Sequence, residues 1–524
     1  MNYLKYFKDY KIKLAQIITL TILSILVSIG LIPLSRNIVY VFSSNSLQPL
    51  INLGLYVIFI YFLRGLFFFL QNFITSNLAI EITTDIKLDL YKSIIFDNYE
   101  NVRDKNIGDI INTLTDDITK VRELIISFFI ELIPSLIMIS FTLTYIFYLN
   151  WKLSLLIFLL ILLISLNINY FLNKVRNYSR KTQEINSNII NSINEDLNNF
   201  YIIKNLRLEE IRYKNIEKNQ KIYNNNLLKT FKYIYLQPSI IGLLQVIGIV
   251  IIAIFATYQM LLGNINLKDL ISFGTAISLT IEPAIFITSS IGKISKNIIS
   301  FERITNFISK NIYKINNEFK VNNYDIYINN LSYSINGKNI LENINLEIKQ
   351  GDCIVIKGNN GAGKSTLVSI ISGIIKNYKG SVKIGGIELI EIDKEFLKKN
   401  IRISCHEAFI FHGTIKDNIL LGNQNLKENE LIEICNILEI NNYNKEVGNF
   451  GNNLSSGQKQ KVSIARAIAS KPLILILDEA LSAIDKETEI KIYNNLRNYL
   501  KNTTFIIISH RKVNLDFVDF EFEL

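Results

Sequence analysis

The chain has 524 residues, room for two or more domains, and 49% of them are hydrophobic. Its mean hydropathy of +0.25 is high for a soluble protein, and its net charge of +10 points to a nucleic acid or a membrane surface. The three cysteines, Cys353, Cys405 and Cys435, are odd in number and lack zinc-type spacing, which argues against a disulfide framework and for a reduced compartment.

Residues 1–13 carry Lys5, Lys8, Lys11 and Lys13, and a long apolar run follows at 14–34. A signal peptide has a shorter apolar core and a small-residue cleavage site, so this run reads as a retained spanning helix. Five more spans are predicted at 50–73, 124–149, 153–171, 240–262 and 267–292. Only Asn150, Trp151 and Lys152 split the third from the fourth, which predicts a tight hairpin with an interfacial tryptophan.

Loop charge sets the orientation. Residues 173–232 hold 12 Lys and Arg, and residues 76–122 hold six. The other loops hold about one each, at Arg36, Lys152 and Lys268. Basic loops stay on the cytosolic side, so both termini and both long loops are expected in the cytosol. Much of the net charge is then a topology signal, and no nucleic-acid partner is expected. Leu78, Ile82, Ile86, Leu90 and Ile94 recur every four residues, so span two is expected to continue as a helix beyond the membrane.

Away from the span edges, ionisable residues within the spans are few: Arg64, Glu131 and Glu282. Charge in a bilayer is costly, and by default it faces a bundle interior or a wet cavity. The alternatives are that Glu131 reaches back to the interface near a helix end and that Arg64 forms a structural pair. Glu282 directly precedes Pro283, which predicts a kink.

Residues 308–325 turn polar and Asn-rich, as a linker does. Residues 326–349 then alternate as short strands about Asn336 and Gly337, a hairpin signal. Next, the apolar run 353–357 leads into Gly358, Asn359, Asn360, Gly361, Ala362, Gly363, Lys364 and Ser365, with Thr366 opening a helix. This strand–loop–helix pattern fits the phosphate-binding loop. Its glycines let backbone N–H groups close on phosphate oxygens at a helix N-terminus. Lys364 reaches β- and γ-phosphates, and the Ser365 hydroxyl holds Mg²⁺. The chain therefore binds a nucleoside triphosphate.

Farther on, Ser455, Ser456, Gly457 and Gln458 precede a helical stretch and offer a second anion site. The apolar run 474–477 delivers Asp478 to a Mg²⁺ shell and Glu479 as general base toward water. Asp485 follows closely, and the run 505–508 ends in Ser509 and His510, which is placed for a phosphate. Tyr333 is either a base-stacking aromatic or a core tyrosine.

Together these residues resemble the ATP-binding cassette exporters in their half-transporter form. The resembling parts follow in family order: Tyr333 as the adenine-stacking aromatic, the phosphate loop, the Leu454–Gln458 signature, the Asp478–Glu479 strand, Asp485 and the His510 switch. In the membrane half the resemblance is carried by 62–65, 108–116 and 301–304. It implies an α-helical membrane domain of six spans with long cytosolic extensions (1–310), a linker (311–325) and an α/β ATPase domain with an abbreviated C-terminus (326–524). It also implies ATP and Mg²⁺ as cofactors and a second half-transporter as partner, with ATP sandwiched between one phosphate loop and the other chain's signature. Coupling helices are implied near 99–113 and 198–208. The implied location is the cell membrane, amid lipid, with the ATPase domain in the cytosol.

Three positions depart from the family pattern. His406 occupies the place of a glutamine that belongs to the Mg²⁺ shell, with Glu407 next to it as an alternative oxygen donor. The signature reads Ser-Ser-Gly, with Ser456 where glycine is usual. The chain has 14 residues after His510, fewer than the family's closing strands and helix need. The leading expectation is ATP-driven export of a small hydrophobic, amphipathic or peptide substrate by alternating access of a dimer. A lipid flippase, a siderophore-type importer or an ATP-gated regulatory subunit of a heterodimer are the alternatives. A homodimer is favoured over a heterodimer, and with no protease-like segment before span one, a leader-cleaving peptide exporter is not expected.

Overall fold

The computed structural model describes residues 5–43, 47–103, 107–263, 265–308, 323–335, 337–359, 361–509 and 516–524. Among these, residues 5–96 and 107–308 form one compact unit, and residues 97–103 cluster with the region from 323 onward in the other.

The first unit is helical. Among the described residues, six helices are long and apolar enough to cross a membrane: Lys11–Asn37, Leu47–Ile95, Ile107–Leu149, Trp151–Asn198, Glu209–Leu261 and Leu267–Thr305. At about 1.5 Å per residue, a 49-residue helix runs roughly 74 Å, over twice the ~30 Å hydrocarbon core. The excess forms the polar extensions. Leu78, Ile82, Ile86 and Leu90 are at most 2% exposed and pack with Ile17, Ile118, Val121 and Ile304. A polar ladder runs beside this seam: Tyr6 donates to Asp89 at 3.0 Å, Tyr10 to Asp85 at 2.7 Å, and Lys13 to Glu81 at 2.5 Å. The hairpin between spans three and four turns at Asn150. Its side-chain oxygen caps the next helix, accepting from the Lys152 and Leu153 N–H groups at 3.0 and 3.2 Å.

The third span is not uniformly α-helical. Two π-helical stretches interrupt it, at Thr113–Asp117 and Ser127–Leu132. Each inserts an extra residue into the helical repeat and re-aims the side chains beyond it. The first places the fully buried Asp117 against the Ser300 hydroxyl at 2.7 Å and Lys120 at 3.4 Å. The second contains Glu131. Its two oxygens accept from Ser290 and Lys293, each at 2.7 Å, a structural pairing not expected for this residue from the sequence.

The second unit holds eleven strands among its described residues. β1 (Ile326–Ile335) and β2 (Lys338–Ile348) form the predicted hairpin. β3 (Cys353–Lys357), β4 (Lys379–Ile384), β5 (Ile387–Glu388), β6 (Ile401–Ser404), β7 (Gly413–Thr414), β8 (Glu446–Val447), β9 (Ile474–Asp478), β10 (Thr504–Ile508) and β11 (Phe520–Glu523) complete the set. An antiparallel sheet runs β2-β1-β4-β5, and a parallel sheet runs β11-β3-β10-β9-β6. Residues of β3, β9 and β10 alternate between two cores: Ile354, Ile476 and Ile506 enter one, while Val355, Leu475 and Phe505 enter the other. Burial on both faces is why these strands read as unbroken apolar runs. β11 lies in the C-terminal edge expected from the sequence to be abbreviated. Its alternation of Phe520 and Phe522 with Glu521 and Glu523 suits a half-exposed edge strand and leaves no apolar run to detect.

The helix Tyr99–Arg103, in the region expected to hold a coupling helix, belongs to this second unit. Glu100 accepts from the Tyr333 hydroxyl at 3.4 Å. At the other expected place, the helix Phe200–Leu206 belongs to the first unit and leaves Phe200, Tyr201 and Leu206 exposed.

Candidate nucleotide-binding site

The parallel register brings the reactive residues to one edge. Ile508 of β10 pairs with Ile356 of β3 and with Asp478 of β9, so the phosphate loop and the two acids leave the sheet side by side. Ligands bind at this carboxyl edge of open parallel sheets.

The loop after β3 needs its glycines for space. At Gly358, with φ +148°, a Cβ would lie 2.7 Å from the Leu524 carbonyl, because β11 closes against it. At Gly363, with φ +96°, a Cβ would meet Leu341 at 2.7 Å and the Ile340 carbonyl at 2.9 Å. The helix Lys364–Ile371 starts immediately. Lys364 is only 6% exposed, and its ammonium donates to the carbonyls of Gly358 at 2.9 Å and Asn359 at 3.0 Å. Its charge is therefore held against the loop's own backbone. Ser365 is exposed beside it, and Gly361, Ala362 and Thr366 complete the described turn, while Asn360 lies outside the described residues.

Asp478 ends β9 at 8% exposure. Burial pushes its carboxyl above the usual carboxylate range; a hydrogen bond from Ser365 opposes this, Glu479 adds to it, and Lys364 and His406 oppose it. Ser365 is thus within hydrogen-bonding reach of Asp478, and His406 is near enough to act on it through its charge. A hydroxyl and a buried carboxylate are hard oxygen donors of the kind Mg²⁺ takes. Asp478 meets an unfavourable environment that a divalent cation would reverse, so the residues fit the ion. Because the folded carboxyl is raised, its ionised form is disfavoured above that value, and the cost vanishes once both states are protonated. Asp478→Asn is therefore expected to raise the apparent Tm of the nucleotide-free protein near pH 7.5. The gain should shrink as pH falls into the carboxylate range. The variant should also lose the Tm increase caused by Mg²⁺ with ATP. A parent and variant with equal Tm at both pH values would refute the burial argument.

Glu479 comes next with φ +50°, a left-handed conformation that costs a side-chain-bearing residue roughly 1–2 kcal/mol. Its N–H donates to the Ile508 carbonyl at 3.0 Å, which holds the turn against β10. Gln460, unnoticed in the sequence, organises this region. It is 3% exposed, and its side-chain nitrogen reaches Ser482 at 3.1 Å, the His406 carbonyl at 3.4 Å and the Glu479 carbonyl at 3.5 Å. Its oxygen accepts from the Ala483 N–H at 3.0 Å. One amide thus joins the His406 loop to the acid turn. Its only sequence signal is a polar residue on the buried face of a helix.

Ser455 caps the helix Ser456–Ile468 through a reciprocal box with Gln458, at 3.2 and 3.0 Å. Ser455, Ser456 and Gln458 are exposed and Gly457 is half-buried. Asp485 caps the helix Lys486–Tyr499, accepting from the Thr488 N–H at 2.9 Å, and that bond holds its carboxyl below the usual range. Tyr333 takes the core position. It is 8% exposed among Leu331, Leu341 and Ile328, because strand alternation turns Ser334 outward and the ring inward. His510 lies outside the described residues. All three cysteines are free thiols, and burial raises Cys435 to about 11.

Comparison with known proteins decides the family. A model described as the ABC transporter transmembrane region matches residues 14–284, and one described as ABC transporter matches residues 341–482. The chain is an ABC transporter. An export ATP-binding/permease protein of Rickettsia typhi, so named by inference, is 28% identical over 98% of this chain and 92% of that protein. An ATP-dependent lipid A-core flippase of Desulfotalea psychrophila is 27% identical, over 88% of this chain and 82% of that protein. The solved structure of a bacterial Atm1-family ABC exporter with ATP bound shares the fold, with a TM-score of 0.84, 20% identity, and coverage of 96% of this chain and 91% of that one. The ABC transporter described here is thus an ATP-driven, multi-pass membrane protein.

Proposed function

We infer that this ABC transporter works as a dimer that exports a small amphipathic substrate, with its ATPase unit in the cytosol. The observation that carries the reading is the convergence of Lys364, Ser365, Asp478 and Glu479 at one sheet edge in a chain that also has six spans. Lys364 and the loop N–H groups bind the phosphates, and Asp478 and Ser365 hold Mg²⁺. That ion, when bound, neutralises charge building on the β- and γ-phosphates. Glu479 accepts the proton of the attacking water. The exposed signature supports a dimer, since its self-capped helix start presents N–H groups and hydroxyls outward. The exposed Phe200, Tyr201 and Leu206 support a docking role for that helix on the partner chain. A flippase among the relatives supports an amphipathic substrate.

The test is vectorial transport in proteoliposomes containing the full chain, with ATP supplied to the cassette side. ATP-dependent accumulation of an amphipathic probe on the opposite side is expected, together with a dimer in native mass spectrometry. ATP turnover with no movement of any amphipathic, peptide or lipid probe would favour the regulatory-subunit reading.

A heterodimer is the second reading, and His406 is the observation behind it. An imidazole is a poor Mg²⁺ ligand, so this site would run slowly beside a faster partner site. On the homodimer reading, Glu407 supplies the oxygen. His406→Gln is expected to raise turnover several-fold or tighten its coupling to substrate, measured as phosphate release with and without probe. An unchanged rate and coupling would show the position to be silent.

A further inference from the structure

The first unit contains a cavity of about 530 Å³ bordered by spans one, two, three and six. This is within the range of drug-sized binding sites. Arg64 from span two and Glu282 from span six both line it. They lie at similar depth. Arg64 is 17 residues beyond Leu47, where the span-two helix begins, and Glu282 is 15 beyond Leu267, where the span-six helix begins. Both are even-numbered spans and run in the same direction, so the two charges sit roughly 26 and 23 Å along their helices from the same end at about 1.5 Å per residue.

The contrast with Glu131 is informative. There the fold provides Lys293 and Ser290, and the charge is fully accounted for. Arg64 and Glu282 make neither an ion pair nor a hydrogen bond, with each other or with any other described residue, although a guanidinium carries five donors. Burying one charge in a membrane costs several kcal/mol, and two opposite charges left apart at one level forgo the pairing that would reduce that cost. The rest of the wall is mixed: Tyr61, Phe68, Met138 and Phe286 supply aromatic and flexible apolar surface, and Gln71 adds an amide. Ile130, from the second π-helical stretch, and Pro134 complete this part of the lining.

We propose that this cavity binds a small zwitterionic amphiphile, with its ammonium group on Glu282, its acid group on Arg64 and its hydrocarbon or aromatic body against Tyr61, Phe68 and Phe286. A purely cationic cargo would leave Arg64 unpaired and repelling; a purely anionic one would do the same with Glu282. A zwitterion satisfies both and enters with no net charge to desolvate. The proposal rests on the export reading and names its substrate class.

Binding to the full chain in nanodiscs tests it, by calorimetry with four versions of one apolar tripeptide: free at both ends, N-acetylated, C-amidated and blocked at both ends. A lysophosphatidylethanolamine arm presents the same two charges on a lipid. The parent is expected to bind the free peptide at least about tenfold more tightly than either singly blocked form, because each blocked form lacks one charge-assisted hydrogen bond. Arg64→Gln should remove the preference for the free carboxylate alone, and Glu282→Gln the preference for the free ammonium alone. Tighter binding of the lysolipid than of the free peptide assigns the zwitterion to a lipid, and the reverse assigns it to a peptide. Equal affinity for all four peptides in the parent overturns the proposal, as does either variant keeping the parental pattern. ATP turnover by the same preparation is the separate check on the export reading: turnover with no discrimination refutes only the zwitterion, and absent turnover refutes the ATP-driven reading itself.

Discussion

Lys364→Ala is expected to lower ATP turnover at least about 100-fold, the usual cost of removing one pre-placed donor from a charged transition state. The side chain is 6% exposed, among the loop's own carbonyls, and no carboxylate forms an ion pair with it among the described residues. Its ammonium is therefore available to phosphate oxygens and already desolvated when they arrive. Alanine removes that charge and also both tethers to Gly358 and Asn359, so the N–H groups of the loop lose their fixed spacing. Affinity for a fluorescent ATP analogue and phosphate release should fall together. Folding is controlled by far-UV circular dichroism and elution volume. A variant with parental affinity and rate would show that the cation acts elsewhere.

Glu479→Gln separates binding from chemistry. A general base contributes typically about 10²–10⁴-fold, and an amide cannot accept the water proton, so phosphate release should fall by that order. The phosphate loop, Ser365 and Asp478 are untouched, so nucleotide affinity should persist, and an ATP-loaded dimer should accumulate on size exclusion. Backbone strain gives an independent control. Glu479 has φ +50°, a conformation glycine adopts freely. Glu479→Gly should therefore be as inactive as Glu479→Gln, yet have a higher apparent Tm, because the strain is relieved while the carboxylate is gone. Parental turnover in Glu479→Gln would end the general-base assignment.

The phosphate loop, the acidic strand and the six spans were legible in the sequence because each is a local pattern. Gly358 to Ser365 specify a turn by which residues tolerate positive φ and close approach. The runs in β3, β9 and β10 are apolar on both faces because both faces are buried. Leu78, Ile82, Ile86 and Leu90 repeat every four residues because one stripe of that helix packs. Such signals depend on neighbours along the chain and survive without knowledge of the fold.

What only the tertiary structure decided are partnerships between residues far apart in sequence. Glu131, Arg64 and Glu282 look alike as isolated charges in apolar runs. Packing gives the first to Lys293, 162 residues away, and turns the other two into one cavity. From the sequence Tyr333 is expected to stack on a base, with a core position as the alternative; its 8% exposure beside Leu331 and Leu341 follows from strand alternation, which no single residue shows. Gln460 became a junction only when the helix carrying it lay against the His406 loop and the Glu479 turn. β11 gave no apolar run, since an edge strand paired on one side through its backbone needs little from its side chains. Local sequence sets which backbone conformations and which faces are available. The pairing of charges and amides is settled by which helices and strands meet, a property of the whole packed chain.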